Sequence, residues 1–512
     1  MSRGLLRSSA IVSSMTMVSR VLGFLRDMVV ARVFGADAAT DAFFVAFKIP
    51  NFLRRLFAEG AFSQAFVPVL SEYRETRDKE QVRELVDHVA GTLFTLLFAI
   101  TAIGVVAAPL LVMVIAPGFI GDQGKDVLAA DMLRLTFPYL LFISLTAFAG
   151  GILNSYGRFA VPALTPVLLN IVLISAALFL APMMDRPVMG LAAGVFLAGL
   201  VQLLFQVPFL WRMGLMPRPR WGWAHDGVRR ILRLMIPAIF GSSVAQINLL
   251  FDTLLASLLV TGSVSWLYYS DRLMEFPLGV FAIAIATVIL PKLSRDHAAD
   301  PEQFAHTMDW ALRWLALIGV PATLGLFLLA GPMLTTLFQY GEFTPEAVMQ
   351  ARLSLMAYAL GLPGFMLVKV LAPGFYARQD TRTPVRIGII AMVANMVFNV
   401  ILIVPLAHVG LALATSLSAY VNAGLLYRGL RKEGVYAPGE GWWAMGLRVG
   451  LAALAMSALL WIGAGSSAEM PTWFENGGWR RALDLALWIG AGAGVYFAVL
   501  LVLGLRPRHL KI

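Results

Sequence analysis

Residues 89–115 read VAGTLFTLLFAITAIGVVAAPLLVMVI, a run without a single charged side chain. About 20 consecutive apolar residues are enough for a helix to cross the hydrocarbon core of a bilayer. With thirteen similar stretches elsewhere, the chain is predicted to be an all-α polytopic membrane protein with 14 transmembrane helices. The approximate limits of these spans are 10–34, 40–69, 89–115, 132–154, 160–182, 188–210, 231–259, 264–291, 310–337, 350–374, 384–405, 409–427, 443–464 and 482–504.

The composition of the whole chain agrees with this prediction. Of its 512 residues, 59% are hydrophobic and 14% are charged, whereas a soluble domain is about 45–50% apolar and about 25% charged. A water-soluble domain and a disordered chain are both excluded. The absence of cysteine excludes a disulfide scaffold, zinc–thiolate sites and thiol catalysis.

The positive charge is distributed unevenly between the loops. The net charge is +10, and basic residues of membrane proteins concentrate in cytoplasmic loops, so we do not expect nucleic acid as a partner. The loops on the other side hold little basic charge beyond Lys125 and Arg186, with Arg480 and Arg481 at the edge of the last span. An even number of spans with cytoplasmic N- and C-termini explains the bias. The loops on the N-terminal side carry Arg74, Arg77, Lys79, Arg83, Arg158, Arg212, Arg218, Arg220, Arg229, Arg230, Lys292, Arg295, Arg378, Arg382, Arg428, Arg431 and Lys432.

Two short motifs recur six spans apart. FVPVLS at 66–71 resembles ILPKLS at 289–294, and NSYGR at 154–158 resembles FYAR at 375–378, each of the latter pair followed by a proline. Chance similarity is the alternative. A genuine repeat predicts two parallel six-helix lobes related by a pseudo-two-fold axis along the membrane normal. The predicted divisions are an N-lobe at 1–215, a C-lobe at 216–435 and an added helix pair at 436–512.

The first two spans are unusually charged, with six basic and three acidic side chains. A charged residue at the bilayer centre costs about 2.5–3.5 kcal/mol on insertion scales, so these side chains must face one another or a wet cavity. Arginine forks pair well with phosphate oxygens, so the surplus positive charge predicts a site for an anion, with a pyrophosphate as the natural ligand. Interhelical salt bridges that only hold the fold are the alternative. The nine residues are Arg20, Arg26, Asp27, Arg32, Asp41, Lys48, Arg54, Arg55 and Glu59.

A second polar set lies in the C-terminal half. Asp252 on the seventh span, Asn395 and Asn399 on the eleventh and Thr415 on the twelfth all offer oxygen ligands. Only one of them is charged, which suits a weakly held monovalent cation such as sodium. Proton carriage by Asp252 and ordinary interhelical hydrogen bonding are the alternatives.

The sequence gives no sign of catalysis. It contains no P-loop, kinase signature or H-E-x-x-H motif, and its six histidines form no recognisable ligand cluster. The longest loops, near 71–88 and 211–230, read as solvated connectors on the cytoplasmic side. We therefore expect no enzyme activity.

Several long strings resemble those of the bacterial lipid II flippases of the MurJ (MviN) family. They include SSMTMVSRVLGF at 13–24, ATDAFFVAFK at 39–48, PNFLRR at 50–55, RLMEFP at 272–277 and LAPGFY at 371–376. The resemblance runs from about residue 8 to the end of the chain. It implies the fold of the multidrug/oligosaccharidyl-lipid/polysaccharide exporters, with the two C-terminal helices forming a groove for a polyprenyl tail.

The resemblance also implies a function and a site. Such a protein turns lipid II, an undecaprenyl-pyrophosphate-linked disaccharide-pentapeptide, from the cytoplasmic to the periplasmic leaflet of the bacterial inner membrane by alternating access. Membrane lipids are then further partners, and it works as a monomer. Where some relatives have a second carboxylate in the sodium site, this chain has Asn399, which favours the membrane potential as the driving force. The implied substrate-binding residues are Ser19, Arg20, Arg26, Asp27, Asp41, Asn51, Arg54, Arg272 and Glu275.

Two other functions remain open on the sequence. A flippase for another polyprenyl-linked glycan would need the same anion site. A drug/cation antiporter of the same superfamily would need an acidic or aromatic cavity, and the net +3 of the first two spans argues against it.

Overall fold

The computed structural model describes residues 3–122, 124–299, 301–465 and 470–505. Side chains at 3–10, 57–60, 240–242, 244–245, 282–284, 287–288, 296–299, 301 and 465 lie outside the description, among them that of Glu59. Every regular element in the described part is helical. The α-helices are α1 Arg3–Phe34, α2 Ala38–Arg54, α3 Ser63–Thr76, α4 Lys79–Val106, α5 Ala108–Ile115, α6 Lys125–Thr136, α7 Tyr139–Ser155, α8 Ala160–Ser175, α9 Met189–Arg212, α10 Asp226–Ser257, α11 Ser263–Pro277, α12 Ile283–Ala299, α13 Pro301–Leu328, α14 Ala330–Phe338, α15 Pro345–Tyr376, α16 Arg382–Lys432, α17 Trp442–Leu460, α18 Met470–Glu475 and α19 Gly478–Val502.

Each predicted span coincides with one or two of these helices, and the all-α membrane fold is confirmed. Within the described residues, nine helical segments are long and apolar enough to cross a bilayer. They include α4, α9, α15 and α19, whereas the charge-bearing α1 and α2 fall outside this set. The number of 14 crossings stays a prediction.

The two spans predicted at 384–405 and 409–427 form one helical hairpin within α16. The backbone reverses at Ala407, whose φ of 50° and ψ of −130° are not helical. Gly410 allows the two halves to approach closely, because a Cβ atom there would lie 2.2 Å from the carbonyl oxygen of Leu402. The predicted break is therefore confirmed to within two residues.

The predicted connector at 71–88 is wrong, because most of it is helical. Asp78 caps α4 by accepting a hydrogen bond from the backbone N–H of Gln81 at 2.8 Å, as N-cap aspartates commonly do. Val82, Leu85 and Val89 then repeat at helical spacing on the buried face of α4, each no more than 4% exposed. This apolar stripe extends the helix ten residues ahead of the predicted span.

The chain divides into two compact units after Val264. In the first unit, α1 packs along α8, α2 along α6, and both α7 and α8 on α9. One core cluster joins α3, α4, α7 and the start of α10, with Phe66, Leu85 and Ile152 fully buried. This cluster packs the start of α10 against α3, α4 and α7.

The second unit centres on α15, which packs on α13 and on the hairpin α16. The C-terminal helices α17 and α19 pack on each other and on α13, where the hydroxyl of the buried Tyr496 donates to the Leu317 carbonyl oxygen at 2.8 Å. The lobes predicted at 1–215 and 216–435, and the added pair at 436–512, stay predictions.

The predicted repeat has a counterpart in the backbone. A π-helical segment, Arg55–Phe62, separates α2 from α3, and a second one, Leu278–Ala282, separates α11 from α12. In each case a proline of the repeated motif, Pro68 or Pro291, follows in the next helix. Two further π-helical segments, Ala176–Leu180 and Trp461–Gly465, lie outside the repeated motifs, so the internal repeat stays a prediction.

Candidate functional site

Arg26 lies within α1 and is buried, with 7% of its surface exposed. Its Nε and Nη2 donate to Asp27 Oδ1 at 3.0 and 2.7 Å, and its Nη1 donates to Oδ1 of Asn170 on α8 at 3.1 Å. Asn170 donates in turn to the carbonyl oxygen of Ser19 at 3.1 Å. A single guanidinium thus joins a carboxylate of its own helix to an amide of the neighbouring helix.

This arrangement brings together three of the predicted residues and adds one that sequence reasoning missed. Arg26 and Asp27 are in direct contact, and half-buried Ser19 is linked to them through Asn170. Arg20 is exposed. The only signal for Asn170 was a lone amide within the apolar span 160–182.

Asp41 is held by a contact network within the first unit. Its Oδ2 accepts the backbone N–H of Gly262 at 2.7 Å and lies 3.5 Å from Nζ of Lys125. Lys125 Nζ is also 3.4 Å from the Thr261 hydroxyl and 4.3 Å from the centre of the Phe119 ring. The carboxylate therefore fastens α2 to the first turn of α6 and to the turn between α10 and α11.

Asn51 and Arg54 form a pair in the last turn of α2. Arg54 Nε and Nη2 both donate to Asn51 Oδ1, at 2.9 and 2.7 Å, and both side chains are half-buried. The π-helical segment begins at the next residue. The pair thus stands at the point where the helical geometry changes.

Arg272 and Glu275 form the corresponding pair near the end of α11. Arg272 Nη1 donates to Glu275 Oε2 at 3.2 Å, and the guanidinium lies 5.3 Å from the centre of the Tyr268 ring. The side chains are 35% and 50% exposed. The π-helical segment Leu278–Ala282 begins three residues after Glu275.

The three arginines share one feature. Each contacts an oxygen-bearing side chain of its own helix, at Asp27, Asn51 or Glu275. Such a partner holds the guanidinium in one orientation, and a phosphate offers the same kind of oxygen acceptor. An incoming anion can therefore replace the partner without reorienting the helix.

The oxygen-rich set on α16 is partly assembled. Asn399 Nδ2 donates to Asn395 Oδ1 at 2.7 Å, and Asn395 Nδ2 donates to the Thr415 hydroxyl at 3.3 Å and the Ser418 hydroxyl at 3.4 Å. These neutral oxygens across the hairpin fit the ligand type that a monovalent hard cation prefers. Asp252, half-buried on α10, belongs to the first unit.

The expectation that no histidines form a ligand cluster is wrong. Glu84, His88 and His225 place one ligand atom each within 4.8 Å of the others. Burial, followed by the nearby His88, lowers the pKa of the His225 imidazole. The two histidines are far apart in the sequence, and only the path of the loop before α10 along α4 brings them together.

Comparison with known proteins identifies the family. The family model described as lipid II flippase MurJ matches residues 30–475. A relative from Vibrio cholerae serotype O1, named probable lipid II flippase MurJ, is 54% identical over 100% of this chain and 98% of its own length. A relative from Burkholderia cenocepacia, named lipid II flippase MurJ, is 43% identical over 89% of each chain.

Comparison with solved structures supports the same family. A lipid II flippase MurJ in an inward closed conformation superposes with a TM-score of 0.80 at 26% identity, covering 96% of this chain and 98% of its own. An inward-facing multidrug resistance MATE family transporter of the MOP superfamily reaches a TM-score of 0.69 at 16% identity, covering 83% and 98%, and that likeness shows the fold alone. By the family match and by relatives that span its whole length, this chain belongs to the lipid II flippase MurJ family.

Proposed function

We propose that this protein is a lipid II flippase that carries the undecaprenyl-pyrophosphate-linked disaccharide-pentapeptide from the cytoplasmic to the periplasmic leaflet. The observation that carries the proposal is the 54% identity, over the entire chain, to a relative named probable lipid II flippase MurJ. The paired arginines of α1, α2 and α11 supply the chemistry that a pyrophosphate needs.

Arg26 is the central residue of the proposed binding step. Its guanidinium donates hydrogen bonds to the carboxylate of Asp27 and to the amide oxygen of Asn170. Phosphate oxygens can accept hydrogen bonds of the same kind. When a pyrophosphate oxygen binds the guanidinium of Arg26, Arg54 or Arg272, it takes the place of the partner oxygen of Asp27, Asn51 or Glu275. Ser19, Arg20 and Asp41 complete the proposed set, with Arg20 adding charge and Asp41 acting as a gate.

Transport then follows an alternating-access cycle in the bacterial inner membrane. The polar head group passes through a wet cavity, while the polyprenyl tail remains in lipid beside α17 and α19. These helices offer apolar surface for it, since Trp443, Leu454, Leu487 and Val502 are each more than two-thirds exposed. The protein works as a monomer with cytoplasmic termini and without enzyme activity.

Two driving forces are compatible with this cycle. The membrane potential is worth about 2.3 kcal/mol per charge per 100 mV, and a negative interior favours outward movement of the anionic head group and return of the positively charged site. The second driving force is a sodium gradient, with the ion held by Asn395, Asn399, Thr415 and Asp252. Because Asn399 is a neutral amide, the membrane potential is the stronger candidate.

The alternatives are weaker. A flippase for another polyprenyl-linked glycan would use the same arginines, but the names of the relatives favour lipid II. A drug/cation antiporter shares the fold, but the basic first two spans disfavour a cationic substrate.

The decisive experiment depletes the protein in cells and measures the leaflet in which labelled lipid II accumulates. Accumulation on the cytoplasmic side, reversed by re-expression, is expected. The contrary outcome is that lipid II still reaches the periplasmic leaflet after depletion while another polyprenyl-linked glycan stays on the cytoplasmic side. That glycan would then be the substrate.

A further inference from the structure

Glu84, His88 and His225 form a cluster in the first unit. Glu84 and His88 lie one helical turn apart on α4, and His225 is the residue before α10. The rings of the two histidines stack with centroids 4.9 Å apart and planes inclined by 22°. The cluster lines a surface cleft of about 440 Å³, so an ion can reach it from water.

The loop that carries His225 is fixed to α4 before any ion binds. Asp87 Oδ1 accepts the backbone N–H of Arg218 at 2.7 Å, and the Asp87 carbonyl oxygen accepts that of Arg220 at 3.0 Å. The hydroxyl of Thr92 accepts the N–H of Gly222 at 3.0 Å. Such preorganisation lowers the entropic cost of bringing distant ligands together.

The ring nitrogens of the two histidines are placed differently. His88 Nδ1 lies 2.9 Å from the Glu84 carbonyl oxygen. Since that oxygen can only accept, Nδ1 carries the proton and the Nε2 lone pair is available, the usual state of a metal-ligating histidine. His225 Nδ1 accepts the N–H of Gly227 at 3.1 Å and so caps α10, which puts its ring proton on Nε2.

We propose that Glu84, His88 and His225 bind a divalent transition-metal ion, with zinc as the best match. Two imidazoles and one carboxylate are ligands that zinc accepts, with water in the fourth position. Magnesium and calcium prefer all-oxygen sites, so the two imidazoles select against them.

Binding at His225 requires the α10 cap to open. A metal on Nδ1 takes the place of the Gly227 N–H. A metal on Nε2 requires the ring proton to be on Nδ1, and Nδ1 can then no longer accept the hydrogen bond from the Gly227 N–H. By either route the hydrogen bond to Gly227 is exchanged for a metal bond that ties the start of α10 to α4.

The test uses the full chain, purified in detergent without a polyhistidine tag and freed of metal with EDTA. Titration with zinc against a chromophoric chelator is expected to show one tight equivalent in the micromolar range. X-ray absorption of the zinc complex should then show two imidazole ligands.

Three variants decide whether the cluster is the site. His88→Ala and His225→Ala are each expected to weaken zinc binding about tenfold or more, and Glu84→Gln, which preserves the side-chain shape, should weaken it as well. His306→Ala, at an exposed histidine of α13, is the matched control and should bind like the parent chain. Absence of binding at sub-millimolar zinc, or unchanged affinity in folded His88→Ala and Glu84→Gln proteins, would overturn the proposal.

Discussion

Lys125 Nζ lies 3.5 Å from Asp41 Oδ2, and the two side chains are only 3% and 1% exposed. The same carboxylate oxygen accepts the N–H of Gly262. A buried ion pair adds little net stability over an apolar pair, but removal of one partner leaves an uncompensated charge. The contact between α2, α6 and the turn before α11 is therefore stable only while both charges are present.

We predict that Lys125→Met destabilises the protein by about 3–5 kcal/mol. Because methionine fills a similar volume, the loss of stability measures the cost of burying the Asp41 carboxylate without the lysine charge. The measurement is the thermal unfolding of the purified protein in detergent. Lys79→Met, at an exposed lysine of α4, should be neutral. Equal melting temperatures for the two variants would show that the pair carries no stability.

Arg26→Lys is predicted to abolish lipid II export while the protein still folds. Lysine keeps the charge but loses the planar fork that contacts Asp27 and Asn170. Export is measured in cells that depend on the variant alone. Arg212→Lys, at the exposed end of α9, is the matched control. Normal growth and normal export with Arg26→Lys would count against bidentate binding of the pyrophosphate.

Asn170→Ala is predicted to reduce export less severely than Arg26→Lys. The alanine removes one contact to the Arg26 guanidinium but leaves Arg26 and Asp27 in place. The guanidinium can still bind phosphate oxygens, but its orientation is less well fixed. The same export measurement in parallel strains gives the ranking. A variant indistinguishable from the parent chain would mean that Asn170 is not needed to orient Arg26.

The helices could be predicted because the apolar runs that define them are local. The break at Ala407 lies between the two spans that the sequence predicts to end at 405 and to begin at 409. The extension of α4 was missed because charged residues between its buried valines and leucines hide the stripe in a hydropathy average.

The partners in the site could not be predicted in the same way. The arginines of α1 and α2 stood out because charge is costly in a membrane. Their contacts depend on packing: Asn170 reaches Arg26 only because α8 lies along α1, and His225 reaches His88 only through the course of one loop. Pairings between distant segments leave no periodic signal in a single sequence.

Ala407→Gly is predicted to stabilise the hairpin of α16 by about 1 kcal/mol or more, because a positive φ is strained for alanine and accessible to glycine. Gly410→Ala should act in the opposite direction, since its methyl group would collide with the Leu402 carbonyl. The difference in melting temperature between the two variants checks this. A fall in the melting temperature of Ala407→Gly would contradict the strained turn.

Asp252→Asn is predicted to remove any dependence of transport on sodium, because Asp252 is the one charged member of the proposed cation set. The measurement compares lipid II export by membrane vesicles in sodium-rich and sodium-free media at a fixed potassium-diffusion potential. If sodium assists the cycle, the parent chain exports faster in sodium, and Asp252→Asn exports at the sodium-free rate in both media. Asp185→Asn, at an exposed acid in the loop before α9, should keep the parent's response. The opposite outcome is a parent chain whose export rate does not depend on sodium but does depend on the imposed potential. Asn395, Asn399 and Thr415 would then serve helix packing. The membrane potential, acting on the charges of the substrate and of the arginines, would be the driving force.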